Sequence, residues 1–410
     1  MLTSQQIRKS VFTLVALYFY LQLGYSQTGI QVFTKREKGI EFIAKDSIFS
    51  TQFQFRIQNR IGYESTSMDD FTPETFEFRI RRLRLRMKGF VFNPKWTYHI
   101  QLSFSRGDMD WESTKSSSVN TSVNIIRDAI ISYQFTPSFS ITMGQTKLPG
   151  NRQRVVSSGD QQFIDRSIVN STFTLDRDCG IFLNFDQKYF RLKGAITTGE
   201  GRNVLKSDKG LSYTARLELL PFGKFTGNND YVEGDLARES KPKLSLAATY
   251  NFNHLAIRTA GQLGYDLYNA VSMQNLQLDI LFKYKGFAFY NEFCERISDT
   301  PVTEDITGTK FAAVYVGIGN LTQASYLFKN NWEIALRYAF IQPYRTVYDN
   351  EDYPTINLSR EEHLHLGVTK YIVGHRLKVQ TNVTYNTKYN IQAATASSKL
   401  GLYFQIELGI

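Results

Sequence analysis

The segment FSTQFQFRIQNRIGY, residues 49–63, has one largely apolar face and one polar face. Its apolar face carries Phe49, Phe53, Phe55, Ile57 and Ile61, and its polar face carries Gln52, Gln54, Arg56, Gln58 and Arg60. A period of two indicates a β-strand with one side in an apolar environment. The segment is longer than the roughly 10 residues that a tilted strand needs to cross a bilayer. It therefore predicts a membrane-crossing strand whose second face meets water.

The same alternation recurs along the rest of the chain, at residues 96–104, 211–219, 276–284, 332–340 and 402–410. Alternating segments separated by turn residues are typical of transmembrane β-barrels. A soluble β-sandwich alternates as well, but its strands are usually shorter, about 5–6 residues. We therefore expect an all-β chain folded as an antiparallel transmembrane barrel.

The connections between the strands predict the number of strands and the side on which each loop lies. Bacterial barrels alternate short periplasmic turns with longer external loops and have an even number of strands. The predicted short connections are 89–94, 136–137, 187–188, 285–286, 329–330 and 372–374, and the predicted long ones are 64–74, 107–123, 147–178, 200–210, 298–309, 343–361 and 387–398. Segment 254–272 would give an odd count as a strand, so we assign it to an external loop. Sixteen strands remain, and segment 221–242 is an exceptionally long connection on the periplasmic side.

The amino-terminal residues indicate export. In residues 1–26, Arg8 and Lys9 precede an apolar run at 11–23, which is typical of a signal peptide cleaved near Ser26; an anchor helix is the alternative. No later apolar run approaches the roughly 18 residues of a transmembrane helix, so a membrane-spanning mature chain must close its strands into a barrel. We expect an N-terminal periplasmic extension at 27–47, a barrel at 48–410, and a place in the outer membrane of a Gram-negative bacterium.

Cysteine content and net charge limit the possible partners. The only cysteines, Cys179 and Cys294, lie far apart, which excludes a disulfide framework and zinc-finger spacing. The net charge of +10 could serve a nucleic acid or a lumen that attracts anions. Because the basic residues interleave with lipid-facing apolar residues in an exported chain, we expect no nucleic-acid partner.

The most specific chemical feature is the run FEFRIRRLRLRMK, residues 76–88. Its apolar residues change register at Arg81 and Arg82, which predicts a β-bulge. The polar face then carries Arg79, Arg81 or Arg82, Arg84, Arg86 and Lys88, with neighbours about 6.6 Å apart. Arg56 and Arg60 on the preceding strand add to this face. Such a row attracts anions and can pass them from one group to the next. The alternative is a structural salt-bridge network with carboxylates such as Glu77 and Asp128.

Segment 147–178 is the longest predicted external loop, and loops of such length are usually functional. If it folds into the lumen, Lys147, Arg152, Arg154 and Arg166 lie at the constriction. The alternative is an ordinary solvated loop. Its acidic residues, Asp160, Asp165, Asp176 and Asp178, dilute its positive charge, so the prediction of anion selectivity depends more on residues 76–88.

Other functional classes find less support in the sequence. His363 and His365 share one strand face and are predicted to face the lumen, but with Glu361 they lack a third convincing metal ligand. An enzymatic barrel would need a set of catalytic side chains that is not evident, so we expect neither enzymatic activity nor a cofactor. A non-conducting barrel that serves a structural or secretion complex remains an alternative, because a lumen-filling loop looks alike in open and closed barrels.

Five motifs together resemble the phosphate-selective porin O and P family: residues 78–89 (FRIRRLRLRMKG), 127–129 (RDA), 144–149 (GQTKLP), 176–181 (DRDCGI) and 331–338 (NWEIALRY). The resemblance implies a sixteen-stranded trimeric barrel in outer-membrane lipid, with inward-folded loops and an arginine ladder for anion uptake. Arg79, Arg82, Arg84 and Arg86 match the ladder positions. The chain departs from the family pattern after Pro149, where it has Gly150, Asn151 and Arg152. We predict a porin for small anions, with phosphate suggested by the resemblance alone.

Overall fold

The computed structural model describes residues 30–35, 39–44, 48–105, 125–204, 210–348, 359–391 and 394–410. Within these ranges sixteen antiparallel strands form a closed barrel, which confirms the predicted fold. The barrel closes where its first strand, β3 (Phe49–Ser65), pairs with its last strand, β20 (Thr395–Gly409). The predicted signal peptide, residues 1–26, lies outside the described residues.

Each barrel strand pairs with the strands before and after it in the barrel. The other fourteen are β4 (Pro73–Val91), β5 (Asn93–Ser103), β6 (Ile126–Thr136), β7 (Phe139–Lys147), β8 (Arg177–Asp186), β9 (Phe190–Thr197), β10 (Ser212–Leu219), β11 (Lys243–Arg258), β12 (Asp266–Tyr284), β13 (Phe287–Ile297), β16 (Gly317–Leu327), β17 (Trp332–Pro343), β18 (Arg360–Val373) and β19 (Leu377–Asn390). Two short hairpins accompany the barrel. One, β1 (Ile30–Lys35) and β2 (Gly39–Ala44), precedes it, with β2 paired to β3. The other, β14 (Val302–Glu304) and β15 (Phe311–Ala313), lies between β13 and β16.

The barrel is apolar outside and polar inside. On β10, Leu217 is 42% exposed, whereas its neighbours Arg216 and Glu218 are 1% and 0% exposed. On β20 the exposed Ile406 and Leu408 flank the buried Glu407. A soluble protein buries its apolar side chains, so this inverted pattern places the outer wall in lipid. The interior consequently depends on ion pairs and hydrogen bonds more than on an apolar core.

The predicted alternation of short and long connections is confirmed in the described part of the chain. All six predicted short connections are turns between consecutive strands at one end of the barrel. Predicted loop 107–123 lies outside the described residues, as do residues 349–358 of the loop predicted at 343–361. The assignment of 254–272 to a loop was wrong: β11 and β12 extend through most of it, and only 259–265 forms the turn. The register shifts near Leu255, whose φ is +52°, hide the period-two pattern there.

Two connections turn into the barrel and position the candidate site. We call residues 148–176 the constriction loop; it contains the short helices α1 (Arg152–Val155) and α2 (Ile168–Phe173). We call residues 220–242 the periplasmic segment; it contains a 3-10 helix at Thr226–Tyr231. Helix α3 (Arg345–Tyr348) lies in an outer loop. Over the described ranges, every helix is too short or too polar to cross a bilayer.

Candidate functional site

A row of basic side chains follows strand β4. We call Arg79, Arg82, Arg84, Arg86 and Lys88 the basic ladder. Arg82 lies opposite Gln58 of β3, and Arg84 lies opposite Arg56. The pairing shifts so that Arg81 has no partner across from it, which is the predicted bulge. The bulge lets apolar residues face the barrel exterior both before and after it along the strand. Phe78 and Ile80, which precede the bulge, are exposed.

The constriction loop binds the outer part of this wall through Asp165. The carboxylate of Asp165 forms an ion pair with Arg60 and lies 3.2 Å from Arg81 Nη2 and 3.7 Å from Arg82 Nη2. Burial favours the neutral acid, but the positive charges of Arg81, Arg60 and Arg82 outweigh it and hold the pKa of Asp165 well below its usual range. A single loop carboxylate therefore joins three guanidinium groups.

The middle of the ladder contacts neutral oxygen acceptors. Arg84 Nη1 donates to Ser158 Oγ of the constriction loop at 2.8 Å. Arg86 Nη2 donates to Gln101 Oε1 at 3.1 Å, and Arg86 Nη1 lies 3.5 Å from Gln54 Oε1. Amide and hydroxyl oxygens orient a guanidinium through hydrogen bonds. These two arginines are therefore held in fixed positions beside the lumen.

The remaining predicted residues of this wall lie at its ends, except Arg56, which lies opposite Arg84 in the middle. Arg79 Nε is 2.8 Å from Glu77, which also pairs with Arg60, so the predicted role of Glu77 in a salt-bridge network is present at the outer end. Arg56 Nε is 3.1 Å from Glu407 of β20. Lys88 is exposed and lies opposite His99 of β5 near the periplasmic turn. The arginines at the outer end of the wall are thus paired with carboxylates, and the lysine at its periplasmic end is exposed.

The constriction loop reaches across the lumen and is fixed to the opposite wall. Arg152 of α1 is buried, and its Nε is 2.6 Å from Asp279 of β12. Lys378 of β19 donates to the carbonyl oxygen of Gly159 at 3.0 Å. Phe163 is buried under the guanidinium of Arg337, whose carbon lies 3.9 Å from the ring centre. The inward fold of this loop agrees with the expectation from the sequence.

The other predicted loop residues hold the ends of the loop. Lys147 Nζ donates to the carbonyl oxygen of Val155 at 2.7 Å, and Arg154 Nε donates to Asp176 Oδ1 at 2.7 Å. Burial favours the neutral acid of Asp176, but the positive charges of Arg154, Arg202 and Arg177 outweigh it and hold its pKa well below the usual range. Asp128 binds Arg177 at 3.0 Å instead of a ladder residue, which differs from the salt-bridge alternative.

A cavity of about 140 Å³ is lined by Arg84 and Arg86 of the basic ladder and by residues of the constriction loop. Its lining includes Ser157 and Ser158 of the loop and Gln101 of β5. Seven of its lining residues are basic and one, Asp128, is acidic; the basic ones are Arg84, Arg86, Arg127, Lys147, Arg154, Arg166 and Arg177. Arg154 and Arg177 are paired with Asp176 and Asp128, and the lining still has more basic than acidic side chains, which favours a positive potential that concentrates anions.

The periplasmic segment was left without a role by the sequence, and the structure places it in the lumen. Its residues Asn229, Asp230, Glu233 and Asp235 are buried. Their partners include residues of distant strands, such as Lys283 of β12, whose Nζ donates to Asn229 Oδ1 at 3.3 Å. The length of this connection, on the side where turns are short, was the one signal that could have identified it.

His363 and His365 face the lumen as predicted, since Leu364 and Leu366 beside them are exposed outside. His363 Nε2 lies 3.4 Å from Glu361, and the ring of His365 packs edge-to-face against Phe163. Among the residues that the structure describes, no three histidine, cysteine, aspartate or glutamate side chains group closely enough to hold a metal ion.

Comparisons with known proteins agree with this geometry. Residues 53–406 match the family model described as phosphate-selective porin O and P. The outer-membrane channel DcaP of Acinetobacter baumannii has a similar fold, with a TM-score of 0.57 and 10% identity over 93% of this chain and 100% of that one. Pseudomonas putida OprB aligns with a TM-score of 0.55 and 11% identity over 88% and 94% of the two chains. Salmonella typhi OmpF aligns with a TM-score of 0.52 and 12% identity over 88% and 98%. Among curated proteins, no sequence matches the chain.

Proposed function

We propose that this chain, which belongs to the phosphate-selective porin O and P family, passes small anions by passive diffusion along its basic ladder. That it is a porin of the Gram-negative outer membrane follows from the family itself. The proposal adds the preference for anions and the residues that produce it. It assigns the anion path to Arg56, Arg60, Arg79, Arg82, Arg84, Arg86 and Lys88, and assigns Lys147, Arg152 and Arg154 to holding the constriction loop.

The observation that carries the proposal is the cavity beside Arg84 and Arg86, with its seven basic residues and one acidic residue. An anion that enters from the outer end meets the guanidinium group of Arg79 first, that of Arg82 next, and then those of Arg84 and Arg86. Neighbouring groups on one strand face are about 6.6 Å apart, so an anion can contact the next one before it leaves the last. Binding that is spread over several sites of similar strength permits both entry and release.

The chemistry of the lining favours oxyanions among the anions. Guanidinium groups present planar pairs of N–H donors that match two oxygens of a phosphate or carboxylate. The hydroxyl of Ser158 and the amide of Gln101 add polar partners within the same cavity. This support extends to phosphate-like anions as a class, and the family resemblance suggests phosphate within that class.

We also propose, from the family resemblance, that the chain assembles as a homotrimer in outer-membrane lipid. The exposed apolar rows on the outer wall supply the surface that lipid or a neighbouring copy would cover. Heat-dependent gel mobility and chemical crosslinking in detergent test this assembly. A single band at the monomer mass under native conditions would contradict it.

The test of the anion path is a reversal-potential measurement in a planar bilayer with a KCl gradient, repeated with phosphate. We expect an anion-selective reversal potential and a reduced chloride current in phosphate. Arg84→Ala with Arg86→Ala should shift selectivity toward cations. Lys95→Ala with Lys188→Ala, which removes two exposed charges near the periplasmic turns, is the matched control and should change little. A cation-selective wild-type channel would refute the proposal, and absence of current would favour the non-conducting alternative.

A further inference from the structure

The periplasmic segment is anchored inside the barrel by a wall that the proposed anion path does not use. Lys283 Nζ of β12 donates to the carbonyl oxygen of Val232 at 2.7 Å. The backbone N–H of Gly286, in the turn after β12, donates to Asp235 Oδ2 at 2.7 Å. Because both donors belong to the barrel, these hydrogen bonds hold the segment in a fixed position against the inner wall.

The tip of the segment meets the constriction loop inside the lumen. The backbone N–H of Glu233 donates to the carbonyl oxygen of Asp160 at 2.8 Å. In return, the backbone N–H of Gln162 donates to Glu233 Oε2 at 3.1 Å. Arg152 Nη1 also donates to the carbonyl oxygen of Asp230 at 3.0 Å. A loop from one end of the barrel and a segment from the other end therefore bind each other directly.

Little space is left between the constriction loop and the periplasmic segment. A cavity between the loop and the segment has a volume of about 20 Å³, which is enough for about one water molecule. Gly234, with a φ of +70°, lies so close to β17 that a Cβ would collide with the carboxylate of Glu333. Phe225 of the segment and Phe173 of the loop belong to one apolar cluster with Cys294 of β13. This half of the lumen is therefore packed with protein.

The segment also places carboxylates against the cations of this wall. Asp230 forms an ion pair with Arg191 of β9. Glu233 Oε2 lies 3.8 Å from Arg337 Nη2 of β17. Buried charges are stabilised by such partners and otherwise carry a large desolvation cost. Arg191 and Arg337 are thus paired with carboxylates of the segment, whereas Arg86 on the other side of the lumen borders a cavity.

We propose that the periplasmic segment determines the specificity of the channel, by closing one half of the lumen together with the constriction loop. Solutes then pass only along the basic ladder, where every passing solute contacts arginine. This inference rests on the proposed function in requiring a conducting pore. It goes beyond that function by assigning the one-sided path to residues 220–242.

Thiol labelling in the intact, reconstituted protein tests the inference. Cys179→Ser leaves Cys294, on the filled side, as the single cysteine. Gln101→Cys in a Cys179→Ser, Cys294→Ser background places the single thiol on the cavity side. The probes are a sulfonate-bearing and a trimethylammonium-bearing methanethiosulfonate of similar size. We expect the sulfonate reagent to label the Gln101→Cys variant about 100-fold faster than Cys294, because Cys294 reacts only when the filled side opens locally.

The possible outcomes distinguish a failure of the one-sided path from a failure of the proposed anion selectivity. Equal labelling of both positions would overturn the one-sided path and leave anion selectivity intact. Faster labelling of the Gln101→Cys variant by the cationic reagent would overturn the anion preference and leave the one-sided path intact. As a second variant, residues 224–240 are replaced by a short glycine-serine turn. If that variant folds, conductance and Cys294 labelling should both rise several-fold, and unchanged values would overturn the role of the segment.

Discussion

The substitution Asp165→Asn removes the one carboxylate that joins Arg60, Arg81 and Arg82. The change preserves the size of the side chain. It also preserves the backbone anchor of the loop, because Arg337 Nη1 donates to the carbonyl oxygen of residue 165 at 2.9 Å. The constriction loop should therefore stay in place while the outer end of the path gains one net positive charge.

The size of the effect follows from the geometry. The guanidinium groups of Arg81 and Arg82 lie 3.2 and 3.7 Å from Asp165, so an anion that binds them would be held about 5 Å from the carboxylate. Two unit charges at about 5 Å repel by roughly 0.8 kcal/mol in a water-like dielectric. Removal of that repulsion corresponds to roughly a four-fold rise in local anion occupancy. The direction is toward stronger anion selectivity.

The assay is the reversal potential at low and high salt. At 0.01 M salt the Debye length is about 30 Å and the effect should be fully visible, whereas at 1 M it is about 3 Å and most of the effect should vanish. Asp305→Asn, in the turn between β14 and β15, removes the same charge elsewhere and serves as the control. If Asp165→Asn leaves low-salt selectivity unchanged, or lowers it, the arginines at this end do not lie on the anion path.

Two further predictions concern the fixation of the constriction loop. Because the pKa of Asp165 is lowered, its contribution to stability is fully present above the unfolded carboxyl pKa of about 3.9 and is lost only below that pH. The temperature of the heat-dependent gel shift should therefore be the same at pH 7 and pH 5. A drop in that temperature centred near pH 5 would contradict the ion pairs. Phe173→Ala removes a buried ring of the apolar cluster and should lower the free energy of unfolding by about 3–5 kcal/mol. The variant should therefore show a lower gel-shift temperature and more current noise. As the control, Phe76→Ala on the lipid face should leave the current noise unchanged.

Local sequence patterns predicted the barrel because its wall follows a local rule. Each strand must present an apolar side to lipid at every second residue, and segments 49–63 and 402–410 record that requirement directly. The bulge at Arg81 was visible for the same reason, since lipid contact fixes which residues face outward on both sides of it. The hairpin at 254–272 was missed because the bulges around Leu255 interrupt the two-residue period.

The contents of the lumen follow no local rule. Arg152 was placed at the constriction from its position in a long loop, but its partner Asp279 is 127 residues away. The acidic residues of the constriction loop were read as diluting its charge, and Asp165 turns out to be the residue that attaches the loop to the basic wall. The inward course of the periplasmic segment likewise depends on Lys283, about 50 residues further along the chain. A single sequence contains these residues but not their pairing.

The same physics explains why the arginines of the lumen lie in two kinds of environment, one with carboxylate partners and one with amide partners beside a cavity. Because the outer wall uses apolar residues for lipid, the interior must be held by polar contacts, and buried charges persist there only when they are paired. Arg216, Arg152 and Asp279 form such a group, with Arg216 Nη2 and Arg152 Nε both 2.6 Å from the carboxylate. Arg86, in contrast, has amide partners and borders a cavity. Ion pairs on one side of the lumen thus stabilise the wall, and guanidinium groups on the other side border a cavity, as the proposed anion path requires.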